Sequence, residues 1–176
     1  MVETRKIVLI GGPSSGKSTL IGELGKRGYN VMNEVAREVI GERAHIEATP
    51  DEITTRQGLI YVRQVEAEKC AGLIFLDRGV LDIVAYSNHL LGYTPFEVVD
   101  PKYDRICSLE RLPFVDDGLR VESGDEEAQM IHEKILDVYR EYNYSLLSIP
   151  VIKSGSLEES VSKRADYLLG ELEGFI

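Results

Sequence analysis

Tryptophan does not occur in the 176-residue chain, and cysteine occurs only twice, at Cys70 and Cys107. Neither cysteine belongs to a C-x-x-C pair, and no cluster of histidines accompanies them. A structural zinc site or a disulfide framework is therefore not expected. Each cysteine is predicted to be a small buried apolar residue.

Long hydrophobic runs are also missing. The apolar run near the N-terminus covers only residues 7–10 and is too short for the core of a signal peptide. No other segment approaches the roughly 18 uninterrupted apolar residues that a membrane-spanning helix requires. We therefore expect a cytoplasmic protein that does not span a membrane.

Positive charge is scarce, because 20 lysines and arginines stand against 30 aspartates and glutamates, for a formal net charge of −10. Coating a nucleic acid polymer or an anionic membrane depends on lysine and arginine, so both functions are disfavoured. A local anion site is compatible with this balance, and a solubilising acidic surface is its simplest interpretation. The hydrophobic fraction of 43% is enough for a core, and the length predicts one domain over residues 1–176.

Short apolar runs alternate with amphipathic stretches along the chain, and this alternation predicts strands and helices in turn. The predicted strands are 6–10, a weaker 29–33, 73–76, 106–109 and 146–152, the last with Pro150 at an edge or strand end. The predicted helices are 18–27, 34–40, one begun by Thr49 and Pro50 that continues to about 70, 81–91, one behind a capping box at 123–126, and one capped by Ser156. We expect an α/β fold with a parallel sheet of about five strands and helices on both faces.

A glycine-rich motif lies between the first predicted strand and the first predicted helix. Residues 11–19, GGPSSGKST, match the pattern G-x-x-x-x-G-K-[ST] in this position. Backbone N–H groups and the helix N-terminus can then surround phosphate oxygens, while Lys17 reaches the β- and γ-phosphates of ATP and Ser18 offers a hydroxyl to Mg²⁺. The fold class is accordingly a three-layer P-loop NTPase fold. The predicted phosphate-binding residues are Gly11, Gly12, Pro13, Ser14, Ser15, Gly16, Lys17, Ser18 and Thr19.

An acidic residue, Asp77, ends the third predicted strand and is followed by Arg78. In P-loop proteins this is the place of the carboxylate that helps to hold Mg²⁺. Hydrolytic ATPases often carry a glutamate next, whereas an arginine stabilises phosphoryl charge and cannot act as a base. The pair favours transfer to a bound acceptor over ATP hydrolysis, although a simple surface ion pair is the alternative.

A second carboxylate, Glu34, ends the second predicted strand, with Arg37 one helical turn later. Glu34 is expected to face the same cleft, because ligands of such sheets bind beyond the carboxyl ends of the strands. It is a candidate to accept the proton of a substrate hydroxyl. The spacing of three residues leaves open that Glu34 and Arg37 pair only with each other.

The segment around 110–124 is predicted to form a lid that closes over ATP and excludes water. Arg120 is the stronger candidate there for binding phosphate, and Arg111 is a weaker one. The histidines His45, His89 and His132 show no metal-ligand spacing and are expected in surface or core roles.

The chain resembles a family of small AAA-type P-loop proteins related to nicotinamide-riboside kinase domains and, more distantly, to nucleoside and thymidylate kinases. The resemblance spans nearly the whole chain and is carried by GGPSSGKST at 11–19, NEVAREVI at 33–40, FLDRGVLDIVAY at 75–86, KYDRICSL at 102–109 and PFVDDGLR at 113–120. It implies that Lys17 and Ser18 hold ATP phosphates and Mg²⁺, and that Arg78 and Arg120 bind phosphates. Asp77 would serve the metal or act as base, while Glu34 matches the general base of some nucleoside kinases.

These residues predict phosphoryl transfer from ATP to a small hydroxyl-bearing, nucleoside-like acceptor. Arg37 and Asp82 join Glu34 as candidate substrate residues, and Asp82 and Tyr86 are alternatively polar or packing support for their helix. The rival interpretation is a nucleotide-dependent switch or partner-binding ATPase without a small acceptor. A GTPase is disfavoured, since neither N-K-x-D nor D-x-x-G occurs in the chain.

Overall fold

The computed structural model describes residues 4–41, 48–113 and 124–176. The described strands form one parallel sheet in the order β2-β3-β1-β4-β5. Their bounds are β1 (Arg5–Ile10), β2 (Val31–Met32), β3 (Leu73–Asp77), β4 (Arg105–Leu109) and β5 (Leu146–Ile149). The helices are α1 (Lys17–Lys26), α2 (Val35–Ile40), α3 (Pro50–Ala67), α4 (Val80–Leu91), α5 (Asp125–Glu141) and α6 (Leu157–Glu171).

The central strand β1 is covered on both faces. Residues 7–10 are completely buried, as expected for an apolar run at the centre of a parallel sheet. Val8 and Ile10 pack on one face in a cluster with side chains of α4 and α5. Ile7 and Leu9 pack on the other face in a cluster with side chains of α1 and α6. The predicted α/β fold, with a five-stranded parallel sheet between two helical layers, is confirmed.

Local capping signals fix several helix starts. The Thr49 hydroxyl accepts a hydrogen bond from the Glu52 N–H, and the Glu52 carboxylate accepts one from the Thr49 N–H, which is the predicted capping box of α3. Ser156 likewise caps α6 by accepting from the Glu159 N–H. α5 begins at Asp125, after Gly124, which has no side chain to cap the helix. Ser123, the predicted cap, lies outside the described residues.

Several predicted boundaries differ from the structure. β2 keeps only two residues, and β5 ends at Ile149, one residue before Pro150, which has no N–H to donate. β5 is an edge strand, in agreement with the position of that proline. α3 ends at Ala67, short of the predicted Cys70.

The two cysteines differ in their surroundings. Cys107 on β4 is fully buried, and burial raises the pKa of its thiol to about 12. Cys70 is only partly buried, so the prediction of a buried residue is confirmed for Cys107 and is wrong in degree for Cys70. Within the described ranges, no helix is both long and apolar enough to cross a membrane.

Candidate functional site

The motif at residues 11–19 forms a tight loop between the end of β1 and the first turn of α1. Gly11 and Gly16 have φ values of 141° and 79°, which side chains rarely tolerate, and Gly16 caps α1 from the left-handed region. The loop forms one wall of a cavity of about 270 Å³. The cavity is lined by Pro13, Ser14, Ser15, Gly16, Lys17, Ser18, Thr19, Glu34, Arg37 and Arg78.

Lys17 is buried inside this loop. Its ammonium donates to the carbonyls of Gly11 and Gly12 at 2.6 and 3.0 Å, and to the Ser15 hydroxyl at 3.0 Å. Burial, together with the nearby Arg78, lowers the pKa of Lys17 from 10.5 to about 8, although Asp77 and Glu34 act in the opposite direction. The loop therefore fixes the ammonium by hydrogen bonds, although its desolvation disfavours the charged form.

Asp77 ends β3 beside this loop, because the parallel register places it opposite Leu9 of β1. Asp77 is 1% exposed and lies near the Ser18 hydroxyl. Burial and the neighbouring Glu34 raise the pKa of Asp77, against the opposing effects of Lys17 and Arg78. Among the described residues, Asp77 Oδ1 has no hydrogen-bond partner.

Magnesium fits this pair of residues. Mg²⁺ prefers hard oxygen ligands such as carboxylates and hydroxyls, and Asp77 and Ser18 supply one of each next to the phosphate loop. The unpartnered Asp77 Oδ1 is an oxygen that a cation would satisfy. A group of three or more acidic, histidine or cysteine side chains that would hold a metal unaided is not found in the described part of the chain. The expected ion would thus depend on phosphate or water oxygens as well.

Glu34 and Arg78 form an ion pair at the cavity, with each side chain 12% exposed. Arg78 Nε lies 2.7 Å from Glu34 Oε1, in an arrangement too misaligned for a hydrogen bond. Arg37 Nε donates to the other carboxylate oxygen at 3.1 Å. Burial alone would raise the pKa of Glu34, but Arg78, Lys17 and Arg37 together lower it. Glu34 is therefore held ionised, with both oxygens engaged by arginines.

Arg78 is itself fixed by its neighbours. Its backbone has a φ of 73°, unusual for a residue with a side chain, and its carbonyl accepts from the Gln64 side chain at 3.2 Å. The guanidinium lies over the Tyr86 ring, 5.0 Å from its centroid, and 3.4 Å from Asp82 Oδ1. A guanidinium held on several sides is suited to meeting charge that develops on a transferred phosphoryl group.

Asp82 lies behind Arg78 and is not among the residues that line the cavity. It is 1% exposed and accepts from the Gly79 N–H at 3.0 Å and from the Tyr139 hydroxyl at 2.8 Å. Burial raises the pKa of Asp82, against the effect of Arg78. Its contacts are those of polar support for α4 and for Arg78, the alternative that the sequence left open.

The outer side of the phosphate loop carries contacts that the sequence did not indicate. His132 Nδ1 accepts from the Gly12 N–H at 2.9 Å, and Arg164 donates to the Ser15 carbonyl at 2.6 Å. Arg111, predicted only as a weak phosphate ligand, donates to the Pro13 carbonyl at 3.1 Å. Burial, with Arg111 and Lys17, lowers the pKa of His132, which favours the neutral ring that accepts this bond. The position of His132 one turn after the buried Ala128 was an available signal, whereas nothing marked Arg164.

Part of the predicted site falls outside the described residues. Arg120, and all but the ends of the predicted lid at 110–124, lie outside the described residues, as does His45. The structure does bring together Lys17, Ser18, Glu34, Arg37, Asp77 and Arg78, which come from the phosphate loop and the carboxyl ends of β2 and β3.

This fold and this loop define the class of P-loop nucleotide-binding folds. The chain belongs to the AAA domain family, whose model matches residues 6–159. A curated relative, the tRNA modification GTPase MnmE of Shewanella woodyi, is 26% identical over 180 residues, which cover 98% of this chain. The chain spans only 38% of the length of that relative.

Solved structures with the same fold include kinases. Deoxyadenosine kinase from M. mycoides, with products dCMP and a flexible dCDP bound, superposes with a TM-score of 0.65 at 17% identity, over 97% of this chain and 100% of that one. The NadR protein in complex with NR superposes with a TM-score of 0.65 at 18% identity, over 94% of this chain and 51% of that one. Thymidylate kinase from Ehrlichia chaffeensis superposes with a TM-score of 0.60 at 14% identity, over 97% of this chain and 100% of that one. The predicted family resemblance is confirmed.

Proposed function

We propose that the chain transfers the γ-phosphoryl group of ATP, with Mg²⁺, to a hydroxyl of a small nucleoside-like acceptor. The observation that carries this proposal is the ion pair of Glu34 and Arg78 in the cavity formed by the phosphate loop. A carboxylate and a guanidinium placed opposite a P-loop lysine match the needs of a hydroxyl acceptor and of a transferred phosphoryl group. The kinases among the structures with this fold support the same class of reaction.

Each residue then has a distinct role. The loop amides and Lys17 bind the phosphates of ATP, and Arg78 stabilises the group in transfer. Glu34, which lines the cavity, orients the acceptor hydroxyl and accepts its proton, whereas Asp77, which is not among the lining residues, would hold the metal together with Ser18. Mg²⁺ bound there would neutralise phosphate charge. Segments 34–70 and 79–100 are the proposed walls of the acceptor pocket.

A panel of nucleosides, nucleoside-like molecules and nucleoside monophosphates tests this function. Each compound is incubated with the chain, ATP and Mg²⁺, and phosphorylated acceptor is measured by mass spectrometry together with ADP release. We expect one chemical class to give a product of one added phosphate. The Lys17→Ala variant serves as the matched control for contaminating kinases, since it removes the ammonium at the phosphate loop.

A nucleotide-dependent switch is the second candidate, and the 26% identity to a GTPase favours it. The same panel, run with GTP as well as ATP, separates the two. Slow turnover that no acceptor accelerates would contradict the kinase proposal and support a switch. Phosphate appearing on an acceptor, lost in Lys17→Ala, would support the kinase.

A further inference from the structure

Hydrogen bonds from later parts of the chain fix the outer side of the phosphate loop. Four consecutive loop residues each bind a group from a later part of the chain: Gly12 to His132, Pro13 to Arg111, Ser14 to the backbone N–H of Leu112 and Ser15 to Arg164. We call His132, Arg111, Leu112 and Arg164 the P-loop collar. The collar residues come from the segment after β4, from α5 and from α6.

The collar contacts constrain the inner side of the loop through peptide geometry. In a planar trans peptide, the carbonyl and the following N–H point in opposite directions. Holding the carbonyls of Pro13, Ser14 and Ser15 outward therefore turns the next three N–H groups toward the opposite side. Consecutive N–H groups that converge in this way form an anion-binding nest.

Within the described part of the chain, Arg164 binds more backbone carbonyls than the other side chains of the collar do. Arg164 is 6% exposed, and its guanidinium also donates to the carbonyls of Glu110 and Ile149, at 2.9 and 3.1 Å. One side chain thus connects the phosphate loop to the carboxyl ends of β4 and β5. Its Nε has no hydrogen-bond partner among the described residues, and burial lowers the pKa of Arg164. Its hydrogen bonds to Ser15, Glu110 and Ile149 all go to backbone carbonyls, and Glu110 offsets only part of the effect of burial on its pKa, which points to a demand for geometry.

Gly16 shows how closely Arg164 approaches the loop. A Cβ at position 16 would lie 3.3 Å from Arg164 Nη1, and the φ of 79° at Gly16 already disfavours any side chain. The guanidinium therefore contacts the Ser15–Gly16 peptide directly, where the loop passes into α1.

We propose that Arg164 is a positioning residue, which fixes the Ser15–Gly16 peptide so that its N–H points to the phosphates before the nucleotide binds. This role rests on the proposed nucleotide-dependent function but does not depend on the identity of the acceptor. Because the amides are oriented in advance, nucleotide binding loses less conformational entropy in ordering the loop. Arg164 touches no reacting atom in this role and acts only through the backbone.

Affinity for phosphates alone provides the test. Binding of ATP, inorganic tripolyphosphate and adenosine to the full chain is measured by titration calorimetry for wild type, Arg164→Met and Arg164→Lys. We expect Arg164→Met to weaken ATP and tripolyphosphate by about tenfold or more, the scale of one lost charge-assisted hydrogen bond, and to leave adenosine unchanged. Arg164→Lys keeps the charge without the planar fork, so it should also bind both phosphates several times more weakly than wild type.

Arg27→Met is the matched control. Arg27 also attaches to α6, by donating to the Ser162 carbonyl and pairing with Asp166, but it makes no contact with the phosphate loop. It should lower stability without changing phosphate affinity. Urea denaturation identifies the variants that are folded at the titration temperature, and the amide signal of Gly16 in ¹H–¹⁵N spectra reports loop order, which should broaden in the Arg164 variants alone.

Three results would overturn the role of Arg164. They are wild-type affinity for tripolyphosphate in any folded Arg164 variant, full affinity in Arg164→Lys, and an equal loss in Arg27→Met. If Arg164→Met does not fold, Arg164→Lys alone decides. Failure of the wild-type chain to bind either ATP or tripolyphosphate would instead contradict the proposed function, so the two failures are distinguishable.

Discussion

At the scale of single residues, Lys17 links the stability of the fold to pH. Its pKa falls from 10.5 to about 8 on folding, chiefly through burial. Between these values the unfolded chain binds more protons on Lys17 than the folded chain, so the free energy of unfolding rises with pH in this window. Below pH 8 the buried ammonium costs about 3 kcal/mol relative to the neutral amine.

A Lys17→Met variant checks this sign. Relative to the variant, wild type should gain up to about 3 kcal/mol of unfolding free energy between about pH 7.5 and pH 10.5. Urea denaturation of both proteins across this range measures the difference, in which the titration of residues remote from Lys17 cancels. Equal pH dependence in the two proteins would show that the Lys17 ammonium is not destabilised by burial.

Glu34 is the residue on which the chemistry of the proposed kinase depends. Glu34→Gln removes the proton acceptor but keeps the shape, so acceptor phosphorylation should fall by about 10²–10⁴-fold while ATP binding persists. Steady-state rates with the acceptor found in the panel, and calorimetry with ATP, measure the two effects. Glu38→Gln, an exposed change in α2, the helix that Glu34 precedes, is the control. Full activity in Glu34→Gln would move the base role to Asp77 or remove it.

At the scale of elements, the phosphate loop and α5 approach each other as closely as glycine permits. A Cβ at Gly12 would lie 2.7 Å from His132 Cβ and 2.9 Å from the Ala128 carbonyl. Gly12→Ala should therefore push α5 away and destabilise the chain by about 1–3 kcal/mol. Thermal and urea denaturation measure this change.

Gly22 provides the opposite expectation from the same substitution. It lies within α1, and a Cβ there would meet nothing within 4 Å. Gly22→Ala should stabilise the chain by about 0.5–1 kcal/mol, because alanine loses less backbone entropy in a helix. A stable Gly12→Ala protein beside an unstable Gly22→Ala protein would contradict the described packing of α5 against the loop.

How far the sequence predicts these elements depends on how local their causes are. The β1 run, the Thr49 capping box and the glycine motif act within a few residues, and all were predicted correctly. The extent of β2 was not, since only two of the five predicted residues form this edge strand. Arg164 contacts Ser15, which lies 149 residues away in the sequence. The strand order brings the two residues together, so no local sequence pattern predicts the contact.

At the scale of the whole molecule, the strand order brings the site together. Because β3 and β4 both flank β1, Asp77 and the start of the 110–113 segment reach opposite sides of the phosphate loop. Glu34 follows β2, the next strand beyond β3, which places it over the same edge of the sheet. The sequence predicted this convergence from the general rule for parallel sheets, but not the ion pairing of Glu34 with Arg78.

Nucleotide binding should stabilise the molecule as a unit. ATP at about 100 times its dissociation constant contributes about 2.7 kcal/mol, provided that the unfolded chain does not bind it. We expect a clear increase in Tm with ATP and Mg²⁺, and a smaller one when EDTA removes the metal. Asp77→Asn should reduce the difference between the two conditions, because it removes the carboxylate charge next to Ser18. Equal shifts with and without EDTA would contradict a metal at Asp77.

The unequal burial of the two cysteines makes the protein convenient for labelling. Cys107 lies inside the sheet with a pKa of about 12, so at neutral pH its thiol is both inaccessible and protonated. Cys70, partly exposed, lies just beyond α3. A maleimide dye should therefore attach selectively at Cys70 without any mutation, just after the helix whose Gln64 side chain donates to the Arg78 carbonyl. With no tryptophan in the chain, such a dye could be paired with a single introduced tryptophan as an energy-transfer donor.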